Sequence, residues 1–279
     1  MKNIILLSLV VPLLFIACKD DVLDQVPQGA FAEGVKVDEE IMDNLITAAY
    51  SGLTARFINE HHVTFQGPTS NWIADVRSDD AYKGGGGIVD QVPVHQAETY
   101  VLNPTSDLAF NKWLNLTWAI ARTNVAISNL KAYDNENYPI VTRMAEMRFL
   151  RAHFHFDLVR NFGNVPWLDD NVLGSEASNT EYSRSEILEL IEADMMYAYD
   201  NLPVTQTETG RVDKVVAAAY MCKILIEEAK WPEVIPFADE VINSGRFDLL
   251  DEFEDLASLD FENSEEMVFT VQFAKTENL

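Results

Sequence analysis

Between residues 72 and 82 the chain gathers Trp72, Asp75, Arg77, Asp79, Asp80 and Tyr82, a combination found in no other loop of the sequence. Sugar rings present apolar C–H faces and edge hydroxyls, so recognising them takes an exposed aromatic platform beside Asp, Asn, Arg or Gln hydrogen-bonding groups. Trp72 and Tyr82 supply the first requirement, and Arg77, Asp79 and Asp80 the second. These five are the candidate ligand-binding residues. A structural reading competes with this one, in which Trp72 plugs the loop onto neighbouring helices and the charges are merely solvated.

Other chemistry lacks its residues. Five histidines give no H-E-x-x-H pair, and His61-His62 and His153-His155 point to different faces of whatever element carries them, so no metal and no cofactor is expected. Gly84 to Gly87 lack the following Lys-Ser/Thr of a phosphate loop and read as a loop tip or hinge. There is no G-x-S-x-G elbow. Forty-five acids guarantee accidental carboxylate spacings, and a glycosidase needs two of them fixed across a cleft, so no catalytic residue is assigned. The acids outnumber 20 Lys plus Arg for a net charge of −25, with no basic block, which excludes nucleic acid as a partner.

At the start, Lys2 precedes an apolar run over residues 4–16 that is too short to span a membrane, so residues 1–17 read as a signal peptide. Ala17-Cys18 resembles a bacterial lipobox, with Phe15 where Leu is usual, making Cys18 the lipidated end of the mature chain and its membrane anchor. Lys19-Asp20-Asp21 resembles the acidic surface-export tag of Bacteroidota lipoproteins, and residues 18–36 form the linker. The remaining cysteine, Cys222, lies on an apolar helical run and is expected to be a small core residue.

The elements that must hold the candidate loop are helical. A single apolar stripe (Ile41, Leu45, Ala48, Ala49, Leu53) predicts a helix over 38–57, and residues 59–107 read as one long loop. A second helix follows over 107–131. Over residues 145–162 two opposite stripes appear: Ala145, Phe149, Ala152, Phe156 and Val159, and Met147, Leu150, Phe154 and Leu158. Two stripes require two packing partners, so this helix is sandwiched. Charged flanks (Arg148, Arg151, His155; Glu146, His153, Asp157, Arg160) can pair within it or across it, and Gly163 and Pro166 end it. A capping box, Ser183 to Glu186, opens a helix that stops near Leu202. Further helices cover 215–228 and a stretch from Pro232 to Gly245, and 264–273 alternates like a strand. The fold class is mostly all-α, a superhelix of paired helices resembling degenerate tetratricopeptide repeats with long irregular loops.

The run E-x-R-F-L-R-A-x-x-x-F-D-L-V-R-x-F-G-x-V-P, Glu146 to Pro166, resembles the signature helix of the SusD/RagB family of nutrient-binding outer-membrane lipoproteins. Leu23-Asp24-x-x-Pro27, Ala49 to Leu53 and the Trp113 to Asn124 pattern resemble it too. The resemblance implies a helical N-terminal domain over 37–279, with the C-terminal part of a usual member absent, as in a fragment or truncated product. It also implies capture of an extracellular oligosaccharide without catalysis, delivery to a TonB-dependent (SusC-like) transporter, and an outer-membrane position facing the cell exterior. A peptide-binding member and a repeat scaffold without a small ligand are the alternatives.

Overall fold

A helix with two apolar stripes must be enclosed, and the sandwiched helix read over 145–162 is. A computed structural model describes residues 37–54, 56–59, 62–64, 75–171 and 177–272. Its helices are α1 Glu39–Tyr50, α2 Val92–Glu98, α3 Asp107–Ala132, α4 Ile140–Phe162, α5 Arg184–Asn201, α6 Lys214–Glu227 and α7 Trp231–Asn243. Apart from the short α2, each packs on its neighbour in sequence: α1 on α3, α3 on α4, α4 on α5, α5 on α6 and α6 on α7. Such nearest-neighbour stacking is the architecture of helical repeats, and the mostly α superhelix is the observed fold. On α4 every residue of both stripes is buried, from Ala145 to Val159. Gly163, at φ 75°, then terminates it with its N–H on the Val159 carbonyl at 2.9 Å.

Local signals set the other ends. Ser106 accepts from the Leu108 N–H at the start of α3, the Ser183–Glu186 capping box is formed at α5, and Asp213 accepts from the Val215 and Val216 N–H groups at α6. The flanks of α4 are less solvated than their charge suggests. Glu146 is fully buried and accepts from Arg143 (2.8 Å), Arg211 (2.9 Å) and the Tyr50 hydroxyl (2.8 Å), joining α1, α4 and the segment before α6. Arg151 grips Asp194 of α5 in a bidentate pair at 2.6 and 2.9 Å. His155 accepts from the Leu168 N–H at Nε2 (3.1 Å), leaving Nδ1 to donate to the Arg151 carbonyl (3.0 Å), and stacks on Trp167. Burial pushes this imidazole down to about 3, so it is neutral.

Four expectations are corrected. The first helix stops at Tyr50 and tightens into a 3-10 turn, Ser51–Leu53, where Gly52 meets α3 and α4 so closely that a Cβ there would lie 2.7 Å from the Ala119 Cβ and 2.9 Å from the Phe154 ring. Beyond it the chain is extended: β1 Arg56–Asn59 pairs antiparallel with β2 His62–Thr64. Residues 59–107 are likewise not one loop, since they hold β2, a 3-10 turn Asp75–Arg77 and helix α2. No strand forms over 264–272. Alternation sets which side chains face inward, but a strand also needs a continuous ladder partner, and here isolated bonds hold the segment instead: Asp248 N–H to the Glu265 carbonyl (3.2 Å), Leu250 N–H to the Glu266 carboxylate (2.9 Å) and the Thr270 hydroxyl to Asn263 (2.5 Å). Cys222 is half-buried between α6 and α7, a rim position and not a core one, because α7 buries none of its own residues.

Candidate functional site

Val76 is the anchor of the candidate loop. Within the turn Asp75–Arg77 it alone points inward, and it packs with Val94 and Ala97 of α2, with Leu108 in the first turn of α3, and with half-buried Leu102. This small apolar cluster, separate from the main helical core, seats the turn. The Asp75 carbonyl then accepts from the Ser78 N–H (3.0 Å) and hydroxyl (2.7 Å), and the Ser78 hydroxyl accepts from the Asp80 N–H (3.2 Å). Wound in this way, residues 77–82 all face solvent.

The four glycines that follow reverse the chain. Gly84, Gly85 and Gly87 adopt positive φ, and the turn is held by Lys83 donating to the Gly84 and Gly87 carbonyls (3.2 and 2.8 Å) and by the Asp90 carboxylate accepting from the Gly86 N–H (3.1 Å). The tract is therefore a fastened loop tip and not a hinge. It returns the chain through α2 to Glu98 and Tyr100 beside the turn. Tyr100 takes a left-handed conformation, φ 58°, its hydroxyl donates to the Arg77 carbonyl, and the Arg77 guanidinium sits 5.0 Å from the centre of its ring.

The result is an open depression of about 650 Å³ lined by Arg77, Asp79, Asp80 and Tyr82 together with Ser78, Glu98 and Tyr100. Tyr82 is 79% exposed and Tyr100 66%, an unusual degree for aromatic rings. The Asp79 and Asp80 carboxylates and the Tyr82 hydroxyl make no hydrogen bond or ion pair with any described residue. Four of the five sequence candidates are thus brought together, while Trp72, like Cys18, lies outside the described residues. Glu98 and Tyr100 were missed. Pro93 at the start of a V-P-V-H-Q-A-E helix, just past the glycine turn, is the signal that marks them as returning to the loop.

Two further cavities have polar groups already committed. One of about 600 Å³ lies along α3 beside residues 166–170; its Asn124 bonds the Leu168 carbonyl and Arg151, and its Asp170 pairs with Lys131 and Arg151. Another, of about 380 Å³, is lined by Tyr50 and Arg211, both turned onto Glu146. Among the described residues no group of three or more His, Cys, Asp or Glu could hold a metal ion. Nor is any described helix long and apolar enough to cross a membrane.

Comparison with known proteins places the chain in a family. Residues 23–226 match the SusD-like family described as starch-binding and associating with the outer membrane, a span that runs from before α1 almost to the end of α6. The chain belongs to the SusD-like family. This SusD-like chain is 32% identical over 142 residues to SusD-like protein P2 of Formosa agariphila, covering 49% of the chain and 28% of that protein. It is 22% identical to a SusD-like protein of Bacteroides ovatus over 98% of the chain and 50% of the relative. Among solved structures it resembles a laminarin binding SusD-like protein (TM-score 0.70, 23% identity, 84% of this chain and 51% of that one). Surface glycan-binding protein A from Bacteroides thetaiotaomicron, in complex with laminarihexaose, is similar at TM-score 0.73 and 20% identity, over 84% and 49% of the two chains. The chain thus spans about half the length of these solved relatives. The role that the family description names is binding, of starch.

Proposed function

We propose that this SusD-like chain binds extracellular oligosaccharide on the depression between Tyr82 and Tyr100. The observation that carries the reading is the pair of exposed rings set beside Arg77, Asp79 and Asp80, whose hydrogen-bonding groups are directed to solvent. An aromatic face stacks on the C–H side of a sugar ring while a guanidinium donates to its hydroxyls and carboxylates accept from them. Tyr100 fixes Arg77 through its ring and its hydroxyl, so the donor is oriented before ligand arrives. Trp72, five residues before Arg77 in sequence, is proposed as a further member of the platform. The laminarin-binding and glycan-binding relatives support carbohydrate as the ligand class.

The remainder of the reading rests on sequence. Residues 1–17 direct export, Cys18 carries lipid, 18–36 form a tether, and the domain from 37 onward is held at the outer membrane facing the exterior, where it passes its ligand to a TonB-dependent transporter. The family description, associating with the outer membrane, supports that location.

Replacing both rings, Tyr82→Ala with Tyr100→Ala, tests the site. Glycan affinity should fall by about tenfold or more, since each ring contributes both contact area and orientation, while the melting temperature stays close to wild type because neither ring is buried. Unchanged affinity in a variant that remains folded would remove this depression as the site.

A further inference from the structure

Charge and hydrogen-bonding capacity at the depression favour one class of glycan. Three carboxylates line it (Asp79, Asp80 and Glu98) against one cation, Arg77. The other nearby cation, Lys83, is turned onto the backbone of the glycine turn. Asp79 and Asp80 have no described partner to neutralise them, and Arg77 lies against the Tyr100 ring. Glu98 faces His95 at 3.5 Å, a partner that is cationic only when protonated.

We propose, on the footing that this depression is the glycan site, that it takes neutral oligosaccharides and discriminates against anionic ones, uronate-containing or sulfated, through Asp79, Asp80 and Glu98. Two separate terms act in the same direction. An ionised carboxylate only accepts hydrogen bonds. A sugar hydroxyl has a hydrogen to offer it, whereas the carboxylate of a uronate or the oxygen of a sulfate ester has none. Coulomb repulsion adds to this: two uncompensated charges acting at roughly 7 Å through a water-like dielectric weaken an anionic ligand by about fivefold to tenfold. The chain's net charge of −25 repels in the same sense at longer range, and salt removes that part first because the Debye length is only about 10 Å at 0.1 M. The local term is the one specific to this site.

Isothermal titration calorimetry of the whole chain against a panel separates the outcomes. Laminarin, mannan, xylan and galactan form the neutral arm; polygalacturonate, alginate and carrageenan form the anionic arm. At about 0.02 M salt the tightest neutral ligand should exceed every anionic one by about tenfold, and the gap should narrow at about 0.3 M salt. In the double variant Asp79→Asn/Asp80→Asn the ratio of neutral to anionic affinity should fall at least about threefold, whatever happens to the neutral affinity itself. A tightest ligand from the anionic arm, or a ratio the double variant leaves unchanged, overturns the selectivity while leaving the site intact. If no polysaccharide of either arm binds, the glycan-binding reading fails, and the selectivity falls with it.

Discussion

Phe154→Ala probes whether both faces of α4 are packed. Phe154 is fully buried, and its ring end lies where a Cβ on Gly52 would be only 2.9 Å away. On the same side Ala119 of α3 comes equally close to Gly52, so three elements meet with no spare volume. Neither neighbour is free to collapse into the space a lost ring would leave. Arg122 of α3 ties down the 3-10 turn by donating to the Ser51 hydroxyl (2.5 Å) and the end of α1 by donating to the Ala48 carbonyl (3.3 Å), and α1 is tied to α4 through Tyr50 and Glu146. A cavity that persists adds its own cost to the lost transfer energy, so the change should destabilise by about 4 kcal/mol, within the roughly 3–5 kcal/mol seen for buried Phe to Ala. That is a large part of a typical margin of about 5–15 kcal/mol. Urea denaturation followed by circular dichroism measures it, with Val125→Ala, on an exposed position of α3, as the control. A loss below about 1 kcal/mol at unchanged m-value would show that the Phe154 stripe is not enclosed and would remove the argument for a sandwiched helix.

His155 is neutral and enclosed, its pKa held near 3 by burial against a usual value near 6.5. Unfolding lets it take up a proton below that usual value, so its contribution is complete above about pH 7 and is lost as pH falls toward the folded value. Between pH 7.5 and 5 it should remove about 2 kcal/mol, and His155→Gln should flatten that part of the pH–stability curve; an identical slope in the variant would show that another group causes it. Cys18→Ser should leave an unacylated form that no longer fractionates with membranes, and unchanged fractionation would end the anchor reading.

Much of the scaffold was legible because its signals are local. The two stripes of α4, its stop at Gly163 and the Ser183–Glu186 box each lie within a few residues of the structure they specify. What escaped is what depends on distant partners. Glu146, Arg151 and His155 read as flanking charge, and they are buried because Arg211, Asp194 and the Leu168 backbone, far along the chain, come to meet them. At seven residues α2 is too short to show a period, and its Val94 and Ala97 have meaning only against Val76 and Leu108. Tyr82 was found from composition alone. Tyr100 was not, since its place beside Arg77 depends on the glycine turn and a left-handed backbone.

That left-handed residue also bears on how the site is built. A bulky aromatic at φ 58° costs on the order of 1 kcal/mol or more and persists only where its surroundings over-determine it. Here the Tyr100 N–H donates to the Ala97 carbonyl at 3.1 Å, the Tyr100 hydroxyl holds the Arg77 carbonyl, and Arg77 covers the ring. Ring and guanidinium therefore fix one another, on a turn whose own anchor is Val76. Leu108, in the first turn of α3, connects this anchor cluster to the long helices, and among the described residues lining the depression none belongs to α3, α4, α5 or α6. Substitutions among residues 77–82 thus alter the depression without touching a side chain that the helical stack buries, which is the physical basis on which loops carry recognition while the scaffold carries stability.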